Sequence, residues 1–104
     1  MNDIELDREG FLKNFENWNR AVAGSLAHSE GVKLSDAHWE IIQILQDFYQ
    51  TTDTVPETRP FSSLVLNRLG KEKSTSIYLM SLFGGSPAKI AAKISGLPKP
   101  TNCI

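Results

Sequence analysis

At 104 residues the chain has the length of one domain, enough to enclose a single hydrophobic core without disulfides or a structural metal. Eleven Lys plus Arg against twelve Asp plus Glu leave a net charge of −1, so no overall field attracts phosphates, and non-specific nucleic-acid binding is disfavoured. No apolar run approaches the ~20 residues that span a bilayer, and the acidic start MNDIELDREG lacks the apolar stretch of a secretory signal, so a cytoplasmic location is expected.

The first element in chain order lies in DIELDREGFL, where Ile4 and Leu6 alternate with acids ahead of a turn at Arg8-Glu9-Gly10. It is the only strand candidate and predicts one edge of a small β-hairpin. Phe15, Trp18, Val22 and Leu26 then recur at three- and four-residue intervals, which predicts a helix over about residues 14–28, broken by Gly31. A second helix opens at LSDAHWE, with Ser35 as cap and Asp36 at the positive end of the dipole. It runs to about residue 51, with His38, Ile41, Ile42, Leu45, Phe48 and Tyr49 on one face.

The stretch TTDTVPETRP reads as a loop, and Pro60 as the first residue of a third helix that turns Phe61, Leu64, Val65 and Leu69 inward and ends at Gly70. STSIYLMSLF predicts a short fourth helix capped by Ser74 or Ser76 and stopped by Gly84-Gly85. Ser86 and Pro87 read as N-cap and first residue of a fifth, with Ile90, Ala91 and Ile94 inward and Gly96 just past its end. The expected fold is a mainly α, orthogonal bundle of about five short helices, with a small N-terminal β-hairpin and an extended C-terminal arm. All of it forms one domain over residues 1–104, with 97–104 as the flexible arm.

The arm, GLPKPTNCI, carries the single cysteine, Cys103. Pro98 and Pro100 each remove a backbone donor and push the preceding residue to extended geometry, so the segment reads as a semi-rigid, polyproline-like strip. At about 3 Å per residue, the stretch from Pro98 to Cys103 reaches roughly 19 Å, far enough to enter another protein's active site. One cysteine makes no internal disulfide, and its place second from the end does not fit a prenylation signal.

An incidental thiol is the plain reading of such a residue. Against it stand the usual burial of free cysteines and stiffening by proline where a loose tail would carry Gly and Ser. Lys99, Lys89 and Lys93 also bring positive charge that favours the thiolate. Exposed thiolates are the nucleophiles of disulfide and persulfide exchange.

The stretches DREGFL, Trp18-Asn19, LSDAHWEII, Pro56-Glu57-Thr58-Arg59, EKSTSIYLMSLF, SPAKIAAKISGLPKP and the final Cys103-Ile104 occur in order over almost the whole chain. In them the chain resembles the DsrC/TusE family of small sulfur carriers. The resemblance implies a helical bundle behind a small hairpin, with Cys103 holding sulfur as a persulfide and needing no cofactor. Members that work with dissimilatory sulfite reductase have a second cysteine eleven positions earlier; here that place holds Ala92. Without a partner thiol the arm closes no intramolecular disulfide or trisulfide, and the TusE-type relay fits better. Such a relay takes sulfur from a TusBCD-like complex and passes it to an MnmA-like tRNA 2-thiouridylase, with tRNA only an indirect partner. The region before IELDREGFL is also shorter than in most members, which leaves the hairpin incomplete.

Arg59 corresponds to a family arginine and either steers a returning arm or donor, or is an ordinary ion-pairing residue at a helix start. Arg59, Lys93, Pro98, Lys99 and Pro100 form the candidate arm and partner-binding set around Cys103, with the lysines of the last helix as a docking face or simply a solvated one. His38 reads as closing its helix end in preference to acting as a base, and Trp18 and Trp39 as packing residues. His28, His38 and Cys103 lack metal-ligand spacing. The alternatives are a DsrC-like protein acting in sulfur oxidation, sulfite reduction or regulation, a non-catalytic interaction module that docks its tail, and, third, a DNA-binding helical domain.

Overall fold

The computed structural model describes residues 5–99. Five helices follow one another: α1 (Arg20–Ser29), α2 (Asp36–Thr52), α3 (Thr58–Leu69), α4 (Ser76–Phe83) and α5 (Pro87–Ile94). Single 3₁₀ turns at Phe15–Asn17 and Glu72–Ser74 precede α1 and α4. The chain is mainly α, as its periodicity requires, and no described helix is long and apolar enough to cross a membrane.

The helix expected over residues 14–28 is interrupted. Asn14 caps the 3₁₀ turn, Trp18 is extended (φ −76°, ψ 140°), and the Asn19 side chain then accepts the Val22 N–H at 2.9 Å to start α1 afresh. Two asparagines that compete for backbone donors split what apolar spacing alone reads as one helix. The hairpin is corrected too: among the described residues no strand forms, and the pairing reduces to one antiparallel bridge between Leu6 and Leu12. The Asp7 carboxylate takes the N–H groups of both Glu9 and Phe11 at 2.9 Å, diverting donors that a longer ladder would use.

Two helix starts move slightly. Pro60 is the third residue of α3 instead of the first, and α4 is capped by Thr75, whose hydroxyl accepts the Tyr78 N–H at 3.1 Å. Ser35 and Ser86 stand at the N-caps of α2 and α5 as expected. His38 closes the start of α2: its Nδ1 accepts the Ser35 N–H at 3.1 Å. That places the ring proton on Nε2, which donates to the Leu82 carbonyl at 2.7 Å and so ties α2 to the end of α4.

α5 is the hub and packs against each of α1, α2, α3 and α4. Its sequence PAKIAAKI explains how a helix of eight residues can be enclosed on so many sides: Ala88, Ala91 and Ala92 are buried and let neighbouring backbones come close. Around it Val22, Leu26, Ile41, Ile42, Leu45, Phe61, Val65, Leu79 and Phe83 fill one continuous core with Ile94 and Leu97.

Candidate functional site at the root of the C-terminal arm

α5 ends with Gly96 in the left-handed region (φ +81°). Its N–H bonds to the Lys93 carbonyl at 3.1 Å, and the Leu97 N–H reaches back to the Ala92 carbonyl at 3.0 Å. This paired closure needs a residue without a Cβ penalty at that point, which glycine supplies. Leu97 then sits fully buried in the core, while Pro98 and Lys99 are exposed. Leu97, expected as the first residue of the arm, is thus part of the packed core.

Two side chains from distant parts of the chain hold this root. The Trp18 indole N–H donates to the Ile94 carbonyl at 2.8 Å, and the Gln46 amide donates to the buried Ser95 carbonyl at 2.9 Å. Both carbonyls lie beyond the intrahelical bonding of α5 and would otherwise be unsatisfied. Trp18 lies so close over the turn that a Cβ on Gly96 would be 2.5 Å from its Cδ1. Phe15 stacks beside Trp18 at 6.4 Å between ring centroids and meets Tyr49 at 5.8 Å. Phe15 and Tyr49, with Gly96 and Pro98, border a recess at the foot of the arm.

An ionic group flanks the same root. The tight turn at Asp7–Gly10 carries Glu9, whose Oε1 is 3.4 Å from Lys89 Nζ on α5 and whose Oε2 is 2.9 Å from Lys99 Nζ on the arm. The Lys99 ammonium, and after it Lys89, holds the Glu9 carboxyl below its ordinary range despite some desolvation.

The candidate residues named from the sequence separate into distinct places. Lys93, expected on a presenting face, turns inward. Its Nζ pairs with Glu30 at 2.6 Å and lies 5.2 Å from the Phe11 ring, and only 9% of the side chain is accessible. Its long stem covers apolar surface while the charge finds a carboxylate, so helical spacing misplaces it. Arg59 lies apart from the root, in an open groove of about 570 Å³ between the N-termini of α3 and α5 that it lines with Thr58, Met80, Pro87 and Lys89. Pro98 and Lys99 lie at the arm's foot, and Pro100 and Cys103 fall outside the described residues. Ala92 is fully buried, its carbonyl engaged by Leu97.

Sequence reasoning missed Gln46, Glu9 and the anchoring role of Trp18. Gln46 did leave a signal: it stands one turn after Ile42 on an otherwise apolar stripe, and a buried amide there needs a partner.

The described residues thus form a small helical domain that fixes the chain at Leu97, just before Pro98, and the one cysteine of the sequence, Cys103, follows five residues after Pro98. A family model described as "DsrC like protein" matches residues 1–104. The sulfurtransferase TusE of Escherichia coli strain K12 is 44% identical over 102 residues, covering 98% of this chain and 94% of that protein. The TusE homolog of Haemophilus influenzae is 41% identical over the same shares. Among solved structures, the Allochromatium vinosum DsrC aligns with a TM-score of 0.88 at 40% identity, covering 97% of this chain and 90% of the other. The oxidized gamma-subunit of dissimilatory sulfite reductase (DsrC) from Archaeoglobus fulgidus aligns with a TM-score of 0.82 at 33% identity, covering 97% and 92%. The chain belongs to the DsrC-like family. With relatives named sulfurtransferases over nearly its whole length, sulfur transfer as a carrier is its activity class.

Proposed function

We propose that the protein is a one-thiol sulfur relay of the TusE kind, acting in the cytoplasm, in which Cys103 holds the sulfur as a persulfide. In the loading step the Cys103 thiolate attacks the outer sulfur of a donor persulfide. The donor's S–S bond breaks, its thiolate leaves, and Cys103 becomes Cys–S–SH. In the unloading step an acceptor thiolate attacks that outer sulfur and Cys103 departs as thiolate. Each exchange conserves oxidation state overall and needs no cofactor, since one S–S bond forms as another breaks.

The donor in this reading is a TusBCD-like complex and the acceptor an MnmA-like tRNA 2-thiouridylase, so the protein serves 2-thiouridine formation at the wobble position without touching tRNA itself. The observation that carries it is the pairing of TusE relatives over 98% of the chain with a single thiol. Ala92, where the sulfite-reductase branch has its second cysteine, favours the relay over a role that closes an intramolecular disulfide. The domain supplies reach and a fixed base, and the partners supply the rest of the chemistry. Lys99 at the foot of the arm, and separately Arg59 in its groove, are the basic residues offered to a partner in this reading.

The test is incubation with a cysteine desulfurase and a persulfide donor, followed by peptide mass spectrometry. A gain of one sulfur on the peptide containing Cys103 is expected. Cys103→Ser should abolish loading while leaving the thermal midpoint unchanged. Sulfur that loads equally well on the serine variant overturns the mechanism.

A further inference from the structure

A second recess shares walls with the arm root. Trp18 and Gln46, which hold the carbonyls of Ile94 and Ser95, also line an open pocket of about 240 Å³ together with Arg20, Trp39, Ile42 and Gln43. Ile42 is buried and both indoles are half-buried, so much of the lining is apolar and aromatic. Arg20 carries the one charge in it. No Asp or Glu lines the pocket, and among the described residues no carboxylate pairs with Arg20. The nearby acids of α2 are already taken, Asp47 by Gln43 and Arg68 and Glu40 by Lys73. The Arg20 guanidinium lies over the Trp39 ring, 4.0 Å from its centroid. That stacking restrains a long side chain while leaving the N–H donors along its edge unspent, so a carboxylate arriving from outside meets a fork that is already held.

We propose that this pocket is a docking point for the persulfide donor, seating an apolar side chain of the donor's surface and placing a neighbouring carboxylate on Arg20. The choice between the two relay partners follows from charge. An acceptor that binds tRNA carries a basic surface to meet phosphate, and such a surface is repelled by a pocket whose one charge is a cation. The donor handles no nucleic acid and is free to present an acid. The pocket anchors one side chain and leaves the rest of the interface to its surroundings; tryptophan and arginine are the residue types that most often carry such anchors. Because Trp18 and Gln46 serve both places, a donor seated here also bears on the two side chains that hold the base of the arm. That the occupant is a persulfide donor rests on the relay proposed above; its acidic and apolar chemistry does not.

Tryptophan occurs only at positions 18 and 39, so 5-fluorotryptophan gives two fluorine NMR signals, assigned with Trp39→Phe. Both should shift when a purified TusBCD-like complex is added. In loading assays, Arg20→Glu should raise KM for that complex about tenfold or more and Arg20→Lys about threefold, with kcat unchanged. Loading of Cys103 by inorganic polysulfide, and KM for an MnmA-like acceptor, should stay as in the wild type. Arg20 is exposed at the first residue of α1, where a glutamate suits the helix dipole, so Arg20→Glu should fold normally. A donor KM that Arg20→Glu leaves unchanged, or an acceptor KM that rises in its place, overturns the proposal. So do fluorine signals that move with protein concentration alone, which would assign the pocket to a second copy of the chain. If the wild type takes no sulfur from the complex, the relay reading fails, while the fluorine titration with the same complex still decides the pocket, where no shift means no docking.

Discussion

Replacing Gly96 with alanine tests the arm root at its tightest point. Two costs are expected there. Alanine at φ +81° carries a left-handed backbone penalty of about 1 kcal/mol. The new methyl would also meet Trp18 at 2.5 Å from Cδ1, 2.8 Å from Cγ and 3.0 Å from Cβ, so the indole must move. Overpacking of this kind costs about 1–3 kcal/mol. Moving the indole further weakens its bond to the Ile94 carbonyl. The sum is about 2–4 kcal/mol, or about 10–20 °C in melting temperature at roughly 5 °C per kcal/mol for a domain of this size.

Gly31 supplies a matched control. It occupies the corresponding position after α1, at φ +71°, with its N–H on the His28 carbonyl and the Val32 N–H on the Ala27 carbonyl. Nothing lies within 4 Å of a Cβ placed there. Gly31→Ala should therefore show the backbone penalty alone, about 1 kcal/mol and about 5 °C. Thermal and urea unfolding followed by circular dichroism measures both variants. If Gly96→Ala costs no more than Gly31→Ala, Trp18 does not lie over the root, and the anchoring described here is wrong.

Trp18→Phe keeps an aromatic ring but removes the donor to the Ile94 carbonyl; it should cost about 1–3 kcal/mol in urea unfolding, and an unchanged midpoint would show that the bond contributes nothing. Glu9 should titrate below its usual value of 4.5, because Lys99 and then Lys89 favour the carboxylate. Since the folded-state pKa is the lower one, the contribution of the pair is complete above 4.5 and is lost as pH falls through the depressed value. Carboxyl NMR titration should move Glu9 back toward 4.5 in Lys99→Ala; no movement would mean the pair is not formed in solution.

Local signals made most of the fold legible. Ser35, Pro87 and Gly96 act through neighbours a few residues away, so their roles in starting and ending helices follow from the sequence around them. The helix starting at residue 14 failed for an equally local reason, since apolar spacing continues through Trp18 while Asn14 and Asn19 each claim the donors of a new start. The arm's attachment was not legible. Trp18 is 76 residues from Ile94, Gln46 is 49 from Ser95, and Lys99 is 90 from Glu9. No spacing rule links such pairs, and only the packed core brings them together. Lys93 shows the opposite error: charge implied solvent, but a long stem and a waiting carboxylate put it inside.

The position of α5 has a consequence for how the chain comes to be folded at all. The helix that every other helix packs against is the last of the five to be synthesised. Ile94 and Leu97, the last core residues to be made, complete a single cluster with Ile41, Leu45, Phe61 and Leu79. The core is therefore completed only by the last helix, and a nascent chain short of α5 leaves part of that apolar surface uncovered. A chain truncated before α5 loses Ala88, Ala91, Ala92, Ile94 and Leu97 from the core together with Cys103, so any defect in the helix that precedes the tail is felt first as a loss of stability.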